Sequence, residues 1–157
     1  NIYFRAEFIM EMLTFFRGDV IWLDIDAEIM RYPVLFRNFP GDFGAHYFTW
    51  PSGNREVMGG TMYFRYCNET IDLVKDWCWL NKTLAKKPRS QLVLNEALVT
   101  FRGHIVEFPE EYTYIPRFMP DVKEPVILHH QASSKNRRPD EEGFSPEDVS
   151  FEYKGDR

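Results

Sequence analysis

The stretch that decides the fold is Asp19-Val20-Ile21-Trp22-Leu23-Asp24-Ile25-Asp26, in which four apolar residues lie between acids. A continuous apolar run of this length predicts a strand that is buried on both faces, as in a parallel or mixed sheet under helices. The run stops at Asp24 and Asp26, two carboxylates at alternating positions. Carboxylates at the end of a buried strand are costly unless a cation or a hydrogen-bond donor accompanies them.

The acidic pair therefore predicts a site for a divalent cation and a phosphate. Hard cations such as Mg²⁺ and Mn²⁺ prefer oxygen ligands and commonly keep positions open for substrate phosphates. In open α/β sheets, ligands also gather at the carboxyl ends of the strands. The alternative interpretation is that Asp24 caps the following turn while Asp26 is solvated, since Asp-x-Asp alone is a weak pattern.

Apolar periodicity along the rest of the chain predicts helices that alternate with short strands. The first helix, which ends at Gly18, is predicted from residues that recur at three- and four-residue steps on one face, namely Phe4, Phe8, Ile9, Met12, Leu13 and Phe16. The other predicted elements are strands at 43–50 and 57–66, helices at 70–84 and 91–100, and strands at 104–108 and 126–129. Ser90 is well placed to cap the last helix. This order predicts an α/β fold with a mixed, mostly parallel sheet flanked by helices.

Two further groups of residues bear on the site. His129 ends a predicted apolar strand, and neutral imidazole there is a plausible third metal ligand. Lys135 follows in a loop of small residues, from which it can reach a phosphate as a point charge. Gly59, Gly60 and Thr61 head another apolar strand, where glycines either permit close approach of a ligand or mark a bulge or tight turn.

Composition bounds the class of protein. The 157 residues suit one domain, and an aromatic share of 17% is enough to line a cleft as well as a core. A net charge of −5 argues against a general affinity for nucleic acid. No apolar stretch is long enough for a membrane span. Cys67 and Cys78 are expected to be free thiols. We expect a core over 1–135 and a polar, mobile tail over 136–157.

Taken in order, these segments resemble the nucleotide-diphospho-sugar glycosyltransferases with the A-type (GT-A) fold, in the group of glycogenin- and galactosyltransferase-like enzymes. The resemblance covers most of residues 1–135, and it is carried by the order and spacing of its segments rather than by one decisive motif. It also implies that the first strand and loop of the family, which grip the base of the nucleotide, precede residue 1. The segments that carry it are Arg5 to Leu13, Asp19 to Ile29, Gly59 to Phe64 with Trp77 downstream, Gln91 to Leu98, and Val126 to Lys135.

The resemblance implies a metal-dependent hexosyl- or pentosyltransferase that uses Mn²⁺ or Mg²⁺. Its donor is a nucleotide-diphosphate sugar, most commonly a UDP-sugar, and its acceptor is a glycan, a protein or a small molecule. The implied catalytic and metal residues are Asp24 and Asp26, with Asp26 the main ligand, joined by His129 as the late histidine ligand. The implied substrate-binding residues are Arg5, Gly60, Thr61, Gln91 and Lys135.

Two departures from the family pattern affect the donor site. Many relatives have Asp-Gln at the start of the late helix, where this chain has Ser90-Gln91, so one contact to the donor sugar is lost or supplied elsewhere. Ala132 stands where a glycine is common. No base for an inverting reaction is identifiable, although Glu96 is one candidate by residue type, and the stereochemistry stays open.

Two alternative functions remain at this stage. A haloacid-dehalogenase-like phosphatase also opens with a strand that ends in Asp-x-Asp. Here Asp26 is followed by Ala27-Glu28-Ile29 without the expected Gly-Thr stretch, no later acidic pair follows a strand, and His129 would have no role. The second alternative is a degenerate, non-catalytic transferase domain, which the change to Ser90 favours.

Overall fold

A computed structural model of the chain describes residues 4–50, 52–84 and 90–130. Within these, the predicted elements are found in the predicted order, and their ends lie within about two residues of the expected ones. The helices are α1 (Phe4–Phe16), α2 (Asn68–Thr83) and α3 (Ser90–Val99). The strands are β1 (Val20–Leu23), β2 (Ala27–Ile29), β3 (Phe43–Thr49), β4 (Arg55–Phe64), β5 (Ile105–Glu107) and β6 (Ile127–His129). Short 3₁₀ turns span Val34–Asn38 and Glu110–Tyr112.

The main sheet has the strand order β1-β4-β3-β5. It is mixed, as predicted, but only the β3–β5 pairing is parallel among the described strands, so the expectation of a mostly parallel sheet is wrong. The strand β1 lies at one edge of this sheet, and Ile21 is 44% exposed. The prediction that β1 is buried on both faces is therefore wrong as well, because an apolar run does not distinguish an edge from a centre.

The larger core lies between the sheet and the three helices. Trp77 of α2 is fully buried at its centre, with Leu94 of α3 and Met62 of β4. In α1 the buried residues are Ala6, Ile9 and Leu13. The three phenylalanines that were predicted to share their face, Phe4, Phe8 and Phe16, are exposed.

Two details at the helix ends also differ from expectation. The helix α1 ends at Phe16, and Arg17 rather than Gly18 adopts the positive φ of 49°. The backbone N–H of Arg17 donates a hydrogen bond to the carbonyl of Leu13, and this is the last turn of the helix. Ser90 is the first residue of α3, and its hydroxyl is buried with no hydrogen-bond partner among the described residues, so the predicted cap is absent.

A smaller antiparallel sheet pairs β2 with β6 and was not predicted. The side chains beneath it form a second core of Phe39, Tyr63, Phe108, Tyr112 and Ile127. This core covers the face of the main sheet that the helices leave open. The predicted tail, residues 136–157, lies outside the described residues.

Two further predictions concern the cysteines and membrane-spanning helices. Cys67 and Cys78 are free thiols, as predicted. Within the described ranges, none of the helices has the length and apolar character that spanning a membrane requires.

The phenol of Tyr63 gives the fold a testable dependence on alkaline pH. Burial, together with the hydrogen bond that its hydroxyl donates to Asp19, raises the pKa of Tyr63 to about 12. A raised pKa means that the folded chain holds this proton longer than the unfolded chain does, so the stabilisation is complete below about pH 10 and is lost as pH rises toward 12. The stability cost of Tyr63→Phe should therefore shrink between pH 8 and pH 11.

The measurement is the free energy of unfolding in urea at both pH values. Tyr32→Phe, at a side chain that is 70% exposed, is the matched control for removal of a phenol. A cost of Tyr63→Phe that changes no more with pH than that of the control would contradict the assignment.

Candidate active site

A bulge in β4 shapes the centre of the site. Ala45 of β3 pairs with Met62, but the next residue, His46, pairs with Met58, so residues 59–61 of β4 have no partner in β3. This loop-out contains Gly59, Gly60 and Thr61, which confirms the bulge that the sequence left as one possibility. The carbonyl of Gly60 instead accepts a hydrogen bond of 2.9 Å from the backbone N–H of Asp24, directly after β1.

A tight turn then carries the chain from the main sheet into the small one. The N–H of Ala27 donates to the carbonyl of Asp24 at 2.9 Å, and β2 begins at once. Ala27 lies opposite His129 in the β2–β6 register. Beside this pair, the backbone N–H of His130 donates to the carbonyl of Asp26 at 3.1 Å. The turn thereby brings Asp26 next to His129, which lies more than one hundred residues away in the chain.

The imidazole of His129 is fixed on both sides. Its Nε2 forms a hydrogen bond of 2.8 Å with Thr61 Oγ1, and its Nδ1 lies 3.7 Å from Asp26 Oδ1. Burial lowers the pKa of His129, and the opposing attraction of Asp24 and Asp26 only partly offsets this effect. A neutral ring whose Nε2–H donates to Thr61 presents the lone pair of Nδ1 toward the Asp26 carboxylate.

The carboxylate of Asp24 is held by two donors. Arg5 Nη2 and Trp22 Nε1 each lie 2.8 Å from Asp24 Oδ1. The guanidinium of Arg5 also donates to the carbonyl of Gly59 at 3.0 Å and lies 5.1 Å from the centre of the Trp22 ring. Burial lowers the pKa of Arg5, and the pull of Asp24 opposes this. The arginine therefore links α1 to both β1 and the bulge.

The two glycines of the bulge are required by close contacts. A Cβ at Gly60 would lie 2.8 Å from His129 Cε1, and a Cβ at Gly59 would lie 2.5 Å from Arg5 Nη1. Gln91, at the start of α3, also packs against Gly59, since a Cβ at Gly59 would lie 3.1 Å from Gln91 Cγ. Glycine at both positions lets a histidine, an arginine and a glutamine converge on one segment of backbone.

The structure thus brings together all but one of the residues predicted from the sequence. Asp24, Asp26, His129, Gly60 and Thr61 meet around the bulge, with Arg5 and Gln91 at its side. Lys135 lies outside the described residues, and its role stays a prediction. Within the described ranges, no three His, Cys, Asp and Glu side chains are grouped closely enough to hold a metal ion, and Asp24 Oδ1 accepts a hydrogen bond from Arg5.

Sequence reasoning missed two contributors to this region. Trp22 donates to Asp24, and the signal for it was its position two residues before the acid, on the same side of a strand. The exposed pair of His130 and Glu28, with Nε2 and Oε2 2.8 Å apart, braces β6 against β2. Only knowledge of the β2–β6 register reveals that contact.

Comparison with known proteins gives a likeness in structure but none in sequence. The sequence matches no protein-family model, and no curated protein matches it significantly. A crystal structure of a glycosyltransferase involved in the glycosylation of the major capsid of PBCV-1 matches with a TM-score of 0.64 at 16% identity. The match covers 82% of this chain and 71% of that chain. The chain therefore shares its α/β fold with a glycosyltransferase.

Proposed function

We propose that this chain is the catalytic part of a metal-dependent glycosyltransferase of the GT-A type. It transfers a sugar from a nucleotide-diphosphate donor, a UDP-sugar in the first instance, to an acceptor hydroxyl. The observation that carries this proposal is the meeting of Asp26 and His129 beside the glycine bulge of β4. A fold shared with a glycosyltransferase supports it.

The donor set at this point suits a hard divalent cation, Mn²⁺ or Mg²⁺. Asp26 offers carboxylate oxygens, and His129 offers an Nδ1 that faces them at 3.7 Å from Oδ1. Thr61 supports the histidine from behind at Nε2, which is the kind of outer contact that fixes the tautomer of a metal-binding imidazole. A cation bound here would neutralise the negative charge that develops on the leaving diphosphate. Asp24 joins the set only if it turns away from Arg5.

The residues around the pair would orient the donor. Arg5 already lies in the site, held at two points by Asp24 and Gly59, so its positive charge is fixed close to where a diphosphate would lie. Gly60 leaves room for the imidazole of His129, and Gly60 and Thr61 are proposed to lie beside the donor sugar. Gln91 packs beside Gly59, and its amide can serve sugar hydroxyls where relatives of the resembled family use an acid as well. Lys135 is proposed as a further phosphate contact.

The first test is thermal unfolding with UDP and Mn²⁺, alone and together. A ligand at 100 times its dissociation constant stabilises the folded chain by about 2.7 kcal/mol. We expect UDP to raise the midpoint only when Mn²⁺ is present, and we expect Asp26→Ala and His129→Ala to abolish the rise. The matched control is Asp121→Asn, an exposed acid in the turn before β6, which should respond as the wild type does.

The same experiment separates the transferase from its alternatives. Stabilisation by UDP without metal, or with metal in the Asp26→Ala variant, would contradict the proposed metal ligand. If neither UDP nor Mn²⁺ affects the wild type, the non-catalytic alternative gains support. Donor hydrolysis, measured as release of UDP from UDP-glucose and UDP-galactose, then decides whether any turnover exists.

Gly60→Ala tests the role of the bulge. The new methyl group must displace the imidazole of His129, since its Cβ would lie 2.8 Å from Cε1. We expect the metal-dependent effect of UDP to be lost, with a stability cost of about 1–3 kcal/mol from overpacking. Gly18→Ala is the matched control, because a Cβ there meets only a backbone oxygen at 3.8 Å. Unchanged stabilisation by UDP and Mn²⁺ in Gly60→Ala would show that His129 need not stay where it lies.

Arg5 and Asp24 should be strongly coupled. Their side chains are 12% and 32% exposed, so the pair is less screened than one at the surface. A double-mutant cycle with Arg5→Met and Asp24→Asn should give a coupling of about 1–2 kcal/mol in the free energy of unfolding. The exposed pair of Lys82 and Glu7 is the control, and its coupling should be weaker because solvent screens it. Equal coupling in the two cycles would show that Arg5 does not organise the site.

A further inference from the structure

A cavity lies between the β3–β4 hairpin and α3, and neither Asp26 nor His129 is part of its lining. Its volume is about 270 Å³, and its lining includes Trp50, Glu56, Asn95 and Glu96. Pockets for drug-sized ligands usually span about 300–1,000 Å³, so this cavity suits a smaller ligand such as one sugar ring. None of these residues has a role in the proposed donor site.

Glu56 is the most unusual residue of this cavity. Glu56 is only 5% exposed, although an ionised carboxylate is costly to bury. Trp50 Nε1 donates to its Oε2 at 2.9 Å, and this is its one hydrogen bond within the described part of the chain. A carboxylate has two oxygens and accepts several hydrogen bonds, so Glu56 retains capacity for donors from a ligand.

Asn95 supplies the complementary donors. Its Oδ1 accepts a hydrogen bond of 3.0 Å from the backbone N–H of Val57, which fixes the orientation of the amide. The Nδ2 group is then left as a double donor on the side chain that lines the cavity. A carboxylate that accepts and an amide that donates match the paired donor and acceptor character of neighbouring sugar hydroxyls.

The charges of the cavity select against an anionic ligand. Glu56 and Glu96 are acids, and the one cation of the lining, Arg55, is paired with Glu107 at 2.6 Å. A phosphate or a nucleotide would be repelled by the buried carboxylate of Glu56. The same carboxylate accepts hydrogen bonds from a neutral, hydroxyl-rich ligand without that penalty.

Aromatic rings continue from the cavity along the sheet. Trp50 packs on Phe48 with ring centres 5.0 Å apart, and Phe48 packs on Phe118 at 5.4 Å. All three residues are half-buried, so part of each remains accessible. The ring planes are inclined by 81° and 50°, so the accessible parts of these rings form an apolar surface beyond the cavity, where the C–H groups of further sugars can pack.

Within the cavity, the side chain of Glu56 lies on the face of the sheet that carries the donor site. Glu56 is opposite Phe48 in the register, and Met58 is opposite His46, so these four side chains share one face. His46 contacts the carbonyl of Phe108 on that face, in the core where Tyr63 of β4 also packs. The bulge lies between Glu56 and Thr61 along β4, and an extended strand rises about 3.3 Å per residue. A short oligosaccharide bridges such a distance.

We propose that this cavity is a carbohydrate subsite for the acceptor, with Glu56 and Asn95 binding adjacent hydroxyls of a neutral sugar. The row formed by Trp50, Phe48 and Phe118 supports the sugars that extend from it. The assignment to an acceptor rests on the transferase function proposed above. It narrows the acceptor to a glycan of more than one residue.

The test is ligand-observed saturation-transfer NMR with the methyl glycosides of glucose, galactose and mannose, without metal or nucleotide. Two variants remove ligand contacts while keeping the internal ones. Glu56→Gln retains an oxygen for Trp50, and Asn95→Asp retains an oxygen for the N–H of Val57. At least one glycoside should bind the wild type and the control Glu11→Gln alike, with affinity about tenfold lower in both variants.

Binding of no glycoside, or equal affinity in the wild type and both variants, would overturn the proposal. Because the measurement contains neither Mn²⁺ nor UDP, it is independent of the test of the donor site. Glycoside binding that depends on Glu56 and Asn95, together with no effect of UDP and Mn²⁺ and no release of UDP from a donor, would retain the carbohydrate subsite and contradict the UDP-dependent transferase.

Discussion

The site depends on one backbone hydrogen bond, from the N–H of Asp24 to the carbonyl of Gly60. It is the last link between β1 and β4, and beyond it the chain leaves the main sheet. Because Asp24 is fixed there, the turn to Ala27 can start only at one place, and β2 must lie in the small sheet beside β6. The position of Asp26 beside His129 follows from this constraint.

The bulge of β4 makes that hydrogen bond possible. An uninterrupted β4 would keep the carbonyls of residues 59–61 in the register of its two neighbours, whereas the bulge directs Gly59 toward Arg5 and Gly60 toward Asp24. The absence of a side chain at Gly60 then leaves room for the imidazole of His129, and its absence at Gly59 leaves room for Arg5 and Gln91. One irregularity in a strand therefore satisfies two polar contacts and admits a third group.

The sequence predicts the elements well and their contacts less well. The strands and helices were predictable because their apolar spacing is local, and the acids stood out because they end an apolar run. The edge position of β1 was not predictable, since an apolar residue such as Ile21 gives the same sequence pattern whether or not another element packs against it. The pairing of Arg5 with Asp24 and the β2–β6 sheet depend on residues far apart in the chain, which a single sequence does not relate. Glu56 was missed because it lies in an ordinary alternating strand and only its burial reveals it.

The two acids of Asp-Ile-Asp acquire different environments although one residue separates them. Asp24 belongs to the edge of the main sheet, where Arg5 and Trp22 satisfy its carboxylate without any ligand. Asp26 belongs to the turn, where it lies 3.7 Å from an imidazole whose pKa burial lowers. A cation bound here would be shared by a carboxylate oxygen of Asp26 and a ring nitrogen of His129. On this difference rests the proposal that the first acid has a structural role and the second binds a ligand.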